Sequence, residues 1–313
     1  MKRFLAYTSL FFITLGAFIP QPTQAMAIAP AVIELEGERG QVLSFEIAVG
    51  NLANETETYH LSTLKFEATS ETGSPGFIPY EVDHSGLAEW IRIPESQISV
   101  PPDGISTLNI NIAIPDDVPS GGYYAAIVAS RSAGSIGANV IVQAQTAALV
   151  LLTVTGESTE QAALLDLTGP GSTNRLPADF AYRIQNQGNV HLQPTGSIKI
   201  YDLFGSEVAS VNANPDGGRV LPGSTRSYQV IWSRSDSVGT GFFNEIANEW
   251  NNFGLGRYKA ELELEYTPGQ ILKMQTVFWI MPWRLICVSI LVVLVLVLAT
   301  SLRSKITRKI ETE

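Results

Sequence analysis

TLNINIAIPDDVPSGGYYAAIVAS, residues 107–130, holds two strand patterns joined by a corner. In its first part Leu108, Ile110, Ile112 and Ile114 alternate with Thr107, Asn109, Asn111 and Ala113. A helix would spread these residues around its circumference, whereas a strand puts each set on one face. The middle part stops the ladder: Pro115 and Pro119 cannot donate to it, and Gly121-Gly122 admits backbone angles closed to other residues. Tyr123 or Tyr124 then opens a second strand, where a tyrosine can bond back across the corner of an Ig-like sandwich. Asp116 and Asp117 are two adjacent acids. A calcium loop needs oxygen ligands at regular intervals, so the stretch reads as a scaffold corner.

The same period of two recurs on both sides of this stretch. Phe45, Ile47 and Val49 keep it, as do Phe180, Tyr182 and Ile184, and Tyr228, Val230 and Trp232. In RYKAELELEY, Tyr258, Ala260, Leu262, Leu264 and Tyr266 oppose Arg257, Lys259, Glu261, Glu263 and Glu265. Short alternating strands punctuated by Gly, Pro and Asn predict an all-β chain of two tandem Ig-like β-sandwich domains. AAIVAS and ALVLLTV are apolar on both faces and belong at central strand positions. The polar stretch GESTEQ, residues 156–161, is the expected linker between domains at 28–155 and 162–278.

The two ends predict placement. Lys2 and Arg3, an apolar run from Phe4 to Ile19 and small residues up to Ala27 read as a signal peptide over 1–27, with an uncleaved anchor as the alternative. Leu285–Leu302 carries no charge and approaches the length of a transmembrane helix. Trp279 and Trp283 precede it at the expected headgroup level, and Arg303, Lys305, Arg308 and Lys309 follow in a basic tail, 303–313. That asymmetry predicts a single-pass cell-membrane protein with the β domains outside and the C-terminus in the cytoplasm. The exported part holds 28 acids and 13 bases, a net charge of −15, which repels nucleic acid. The chain's only Cys, Cys287, lies in the expected membrane segment, so the sandwiches must hold without disulfides.

GFIPYEVDHSGLAEWIRIPESQISVPPDGISTLNINIAIPDDVPSGGYYAAIVAS, residues 76–130, resembles the N-terminal domain of the WxL-interacting proteins and related exported bacterial domains. GANVIVQAQTAALVLLTVTGE (137–157), NQGNVHLQPTGSIKIYDLFG (186–205), RVLPGSTRSYQVIW (219–232) and FGLGRYKAELELEY (253–266) extend the resemblance over nearly the whole ectodomain. It implies two Ig-like domains, a membrane helix and a basic tail. It also implies binding, with peptidoglycan for the first domain and a WxL surface protein for the second.

Catalytic motifs are absent from the sequence. His60, His84 and His191 stand far apart, and Asp83-His84-Ser85 cannot form a triad because neighbouring side chains diverge. No zinc spacing, nucleophile elbow or phosphate loop occurs, so no cofactor, metal or catalytic residue is expected. One insertion stands out. In GTGFFNEIANEWNNFGLG, residues 239–256, Phe243, Ile246, Trp250 and Phe253 fall at helical intervals. The helix either caps the sandwich and buries its aromatics, or presents Phe242, Phe243, Trp250 and Phe253 to a partner. Trp90 is expected in the core. The sequence as a whole predicts a non-enzymatic surface protein that contacts cell-wall polymer or another exported protein. An assembly chaperone acting by strand addition is the alternative.

Overall fold

The structure, a computed structural model, describes residues 26–131, 145–236 and 239–310, with side chains up to Arg303. The expected signal segment therefore lies outside the described residues up to position 25, as do the tail end and the side chains of Lys305, Arg308 and Lys309. Domain one contains β1 (Met26–Ala29), β2 (Val32–Gly37), β3 (Val42–Asn51), β4 (Glu57–Ala68) and β5 (Pro75–Ile78). A helical turn, α1 (Leu87–Trp90), leads to β6 (Ile91–Arg92), β7 (Gln97–Val100), β8 (Ile105–Ala113), β9 (Gly121–Arg131) and β10 (Gln145–Val154). One sheet has the order β1-β3-β8-β6. The other has the order β2-β10-β9-β4-β5, with β7 also on β4. Met26 and Ala27 pair with Asn51 and Gly50, so strand pairing among the described residues includes two positions ahead of 28.

The alternation in β8 sends Leu108, Ile110 and Ile112 into the core with Ile47, Val49, Ile127 and Leu152. Trp90 joins them, its ring 4.5 Å from that of Tyr123. At the corner, Tyr123 Oη donates to the Pro119 carbonyl at 2.8 Å, while Asp116 and Asp117 face solvent. The acids are turn residues.

Domain two contains β11 (Ala162–Thr168), β12 (Ser172–Thr173), β13 (Ala178–Asn186), β14 (Thr195–Tyr201), β15 (Glu207–Asn212) and β16 (Thr225–Trp232). Helix α2 (Phe242–Asn251) precedes the long hairpin β17 (Gly256–Thr267) and β18 (Gln270–Ile280), and α3 (Trp283–Ile310) closes the chain. Its sheets have the orders β11-β13-β16 and β12-β18-β17-β14-β15. Aromatic rings fill the space between them: Phe180 meets Phe278 edge-on at 5.3 Å, and Tyr182 stacks on Tyr228 at 5.0 Å. Burying one such ring contributes about 2–3 kcal/mol. Helix α3 is longer than the expected 285–302, and its first turn has a partner in α2, described below.

Each domain has a buried asparagine just where a strand ends. Asn51 Nδ2 donates to the carbonyls of Glu55 (2.7 Å), Val100 (3.0 Å) and Pro101 (3.2 Å). Its Oδ1 accepts from Ala53 N and Tyr59 Oη. Asn186 does the same work in domain two, donating to Val190 and Val220 and accepting from Gly188 N. An amide side chain can serve as donor and acceptor at once, so it ties off backbone groups that a turn leaves unpaired.

Candidate functional site

Two surfaces stand out among the described residues. The first begins at β10, which pairs with β9 along its whole length but with the parallel strand β2 only from Leu149 to Val154. Among the described residues, Gln145–Ala148 have no ladder partner on the β2 side. Leu149 N donates to Ala31 O, which fixes the direction of the open groups. Backbone polar groups alternate sides along a strand, so those of Ala147 and Gln145 also point to the open side.

Alongside lies a cleft of about 230 Å³ between the domains. Its floor is the outer face of the β2-β10-β9-β4 sheet, where Phe66, Ala126, Val128 and Leu151 are buried. Leu221 of domain two packs against that cluster, and this explains why β9 and β10 are apolar on both faces. Polar contacts fasten the two walls. Arg219 pairs with Glu34 of β2, and Arg183 with Glu71 at 3.3 Å. Ser227 N donates to Glu71 O at 2.7 Å, and Gly122 N to Asn189 O at 2.8 Å. The Arg226 guanidinium wedges between Gly73 and Gly218, where an added Cβ would approach Cζ to 2.2 Å and 2.7 Å. Arg226 also donates to Arg219 O at 2.9 Å and lies over the Tyr228 ring.

Burial sets the titration of this interface. It pushes the Tyr228 hydroxyl up to about 12, with the Arg226 and Arg219 guanidiniums opposing. It raises the Tyr124 hydroxyl further still. Burial lowers His191, against the pull of Glu34 and with the help of Arg219. His191 lies before the isolated bridge Leu192–Val220, and its Nδ1 has no hydrogen-bond partner among the described residues. The interface residues Glu34, Arg219, Leu221 and Arg226 escaped the sequence reading, and His191 was weighed there only as a catalytic residue. The one local signal was Gly217-Gly218 ahead of Arg219, where small residues leave room for a guanidinium.

Asp83 and His84 have structural partners. Asp83 accepts from Lys65 Nζ at 2.6 Å and from Ser85 Oγ at 2.6 Å; the Lys65 ammonium, more than Ser85, holds its carboxyl well below the usual range. The His84 ring lies tilted against that of Tyr80, ring centres 4.0 Å apart. Among the described residues, no group of three or more His, Cys, Asp or Glu is arranged to hold a metal.

The second surface is α2. Its apolar side faces out: Phe242, Phe243 (82% exposed), Trp250 (72% exposed) and Phe253, beyond the helix end, are open to solvent. Aromatic burial, one of the two readings of this insertion, is therefore overturned. Asn248 and Glu249 are the buried residues. They turn inward because their partners lie there. Glu249 accepts from Arg284 Nη1 and from the Leu285 backbone N–H, both at 3.0 Å, and Glu245 pairs with Arg175 at 3.4 Å and Arg284 at 3.5 Å. Trp279 and Trp283 are also exposed at this end of the domain. From Trp283 to Arg303, α3 is long and apolar enough to cross a membrane, and that stretch makes no buried core.

No family model matches the chain, and no curated protein matches it. Among solved structures, it is similar to the class 5 fimbriae chaperone CfaA at 14% identity, covering 80% of this chain and 99% of that one, with TM-score 0.39. It is similar to the Pseudomonas aeruginosa CupB2 chaperone at 10% identity, covering 80% and 100%, with TM-score 0.39. The SafB chaperone of Salmonella enterica, solved with the SafA pilin, gives 9% identity, 82% and 98% coverage, and TM-score 0.38.

Proposed function

We propose that the protein is a non-enzymatic, membrane-held binding protein of the cell exterior. It takes an extended segment of another exported protein onto the open side of β10. The observation that carries this reading is the part-paired β10: among the described residues, the main-chain groups of Gln145 and Ala147 have no ladder partner on the β2 side, a few residues along the strand from a cleft lined by Phe66, Leu149 and Leu151. A strand added there gains main-chain hydrogen bonds whatever its sequence, and alternate side chains reach the apolar floor for selectivity. Such a contact is chaperone-like: it satisfies an extended segment without requiring its final fold. The resemblance to WxL-interacting proteins names one class of partner, a WxL surface protein.

Ala147→Pro tests the reading in the full chain. The substitution removes the open-side N–H and leaves the β9 ladder in place, because Ala148 and Thr146 face that strand. With a photoreactive residue at Gln145, the parent chain should crosslink in cells to an extended segment of an exported protein, and Ala147→Pro should lose the adduct while keeping its melting temperature. Sedimentation with insoluble cell wall by both forms, with no protein adduct, would replace this reading by polymer binding. Release of sugar fragments from that wall would replace it by a hydrolase.

A further inference from the structure

We infer that the end face of domain two is a lipid-binding surface: the outward side of α2, together with the Leu203–Phe204 turn, lies in the headgroup layer of the bilayer that α3 crosses. The inference rests on the membrane-anchor reading of α3.

Helix α2 is amphipathic in the reverse sense to a helix that packs on a soluble core. Its acids Glu245 and Glu249 face the protein and its aromatics face away. An ordinary surface helix would bury the rings and expose the carboxylates. The reversal is held by charge pairing, since Arg175 and Arg284 neutralise both acids on the inner side. What remains outward is Phe242, Phe243, Ala247 and Trp250, with Asn244 as the polar neighbour.

The occupant follows from where α2 is tied. Glu249 accepts the backbone N–H of Leu285, a free donor of the first turn of α3, and pairs with Arg284 beside it. The aromatic face is thus fixed within one turn of the point where the apolar helix begins. Sheet register brings a second apolar element to the same end. Tyr201 pairs with Lys259, three residues along β17 from Gly256, which itself pairs with Ile280 just before α3. The turn after Tyr201 carries Leu203 and Phe204, and Phe204 is 90% exposed. An aromatic-rich face set beside a spanning helix matches the interfacial layer, where helices sink about 5–10 Å into the headgroup and acyl boundary. Trp283, at the helix start, belongs to the same layer.

The test uses the full chain in phosphatidylcholine–phosphatidylglycerol vesicles with no other protein present. In a Cys287→Ser background, single cysteines replace Phe243, Phe204, Val82 or Leu296, and each carries an environment-sensitive fluorophore. Val82, exposed in domain one, reports water, and Leu296, midway along α3, reports the anchor. The proposal expects Phe243→Cys and Phe204→Cys probes to be blue-shifted, about fivefold less open to iodide than the Val82→Cys probe, and quenched by lipids spin-labelled near the headgroup. A Leu296→Cys probe buried in lipid, with a Phe243→Cys probe as open to iodide as Val82→Cys, overturns the lipid surface and leaves the anchor standing. A Leu296→Cys probe open to iodide overturns the anchor and the inference with it.

Discussion

Asn51 shows how much of this fold depends on single polar side chains. Its amide is fully buried and has five backbone or side-chain partners, from Glu55 to Tyr59 and on to Val100 and Pro101. Asn51→Ala would leave several of those groups buried without partners, each at the full cost of desolvation. The expected loss is about 3 kcal/mol, read as a lower urea midpoint for domain one. Such a residue is illegible in the sequence, because an asparagine after a strand reads as a turn signal whether or not it is buried. A comparison of VGNLAN (49–54) with IQNQGN (184–189) would have found it, since the two domains use the same position in the same way. The apolar residues were legible. Ile110, Ile112, Tyr182 and Leu262 lie inside as their alternation requires, for burial follows the pleat of the strand.

At the scale of the element, α2 divides what the sequence shows from what it hides. The intervals of Phe243, Ile246 and Trp250 marked a helix, and a helix is present. Which side it would bury was not readable, because that choice is made by Arg175 and Arg284, far from α2 along the chain. Two substitutions separate the sides. Trp250→Gln removes an exposed ring and should shift domain stability by no more than about 0.5 kcal/mol in detergent. Glu249→Ala strips a buried carboxylate from Arg284 and uncovers the Leu285 N–H, at a cost of about 3 kcal/mol. Hydrogen exchange should show that loss as faster exchange in α2 and in the first turn of α3, with the sheets of domain one unchanged. The β10 edge was hidden for a similar reason. The sequence marked a doubly covered strand, but its cover is Leu221 of the other domain on one face and the first core on the other.

For the whole molecule, the junction between domains is the part that pH should reach. His191 lies there, facing Glu34 and Arg219, and burial keeps its folded pKa below the ordinary 6.5. The unfolded chain therefore takes up the proton first as pH falls, so stability is full above about pH 6.5 and declines below it. His191→Gln should remove that component. Melting temperatures compared at about pH 7.5 and about pH 5 should fall further in the parent chain than in the variant. An equal fall in both would assign the acid sensitivity to other groups.

The long strand β17 links these scales. Thr267, near one end, bonds to Glu160 in the connector between domains, and Gly256, at the other end, pairs with Ile280, three residues before α3 begins. Its 12 residues span about 40 Å. Under the proposed anchoring, with β17 standing upright on the bilayer, a segment that a partner presents to β10 must extend at least that far from the membrane, so β17 would act as a ruler. Shortening a lipid-bound client's stalk below that length should abolish encounter outright, whereas the same client released from the membrane would still be caught.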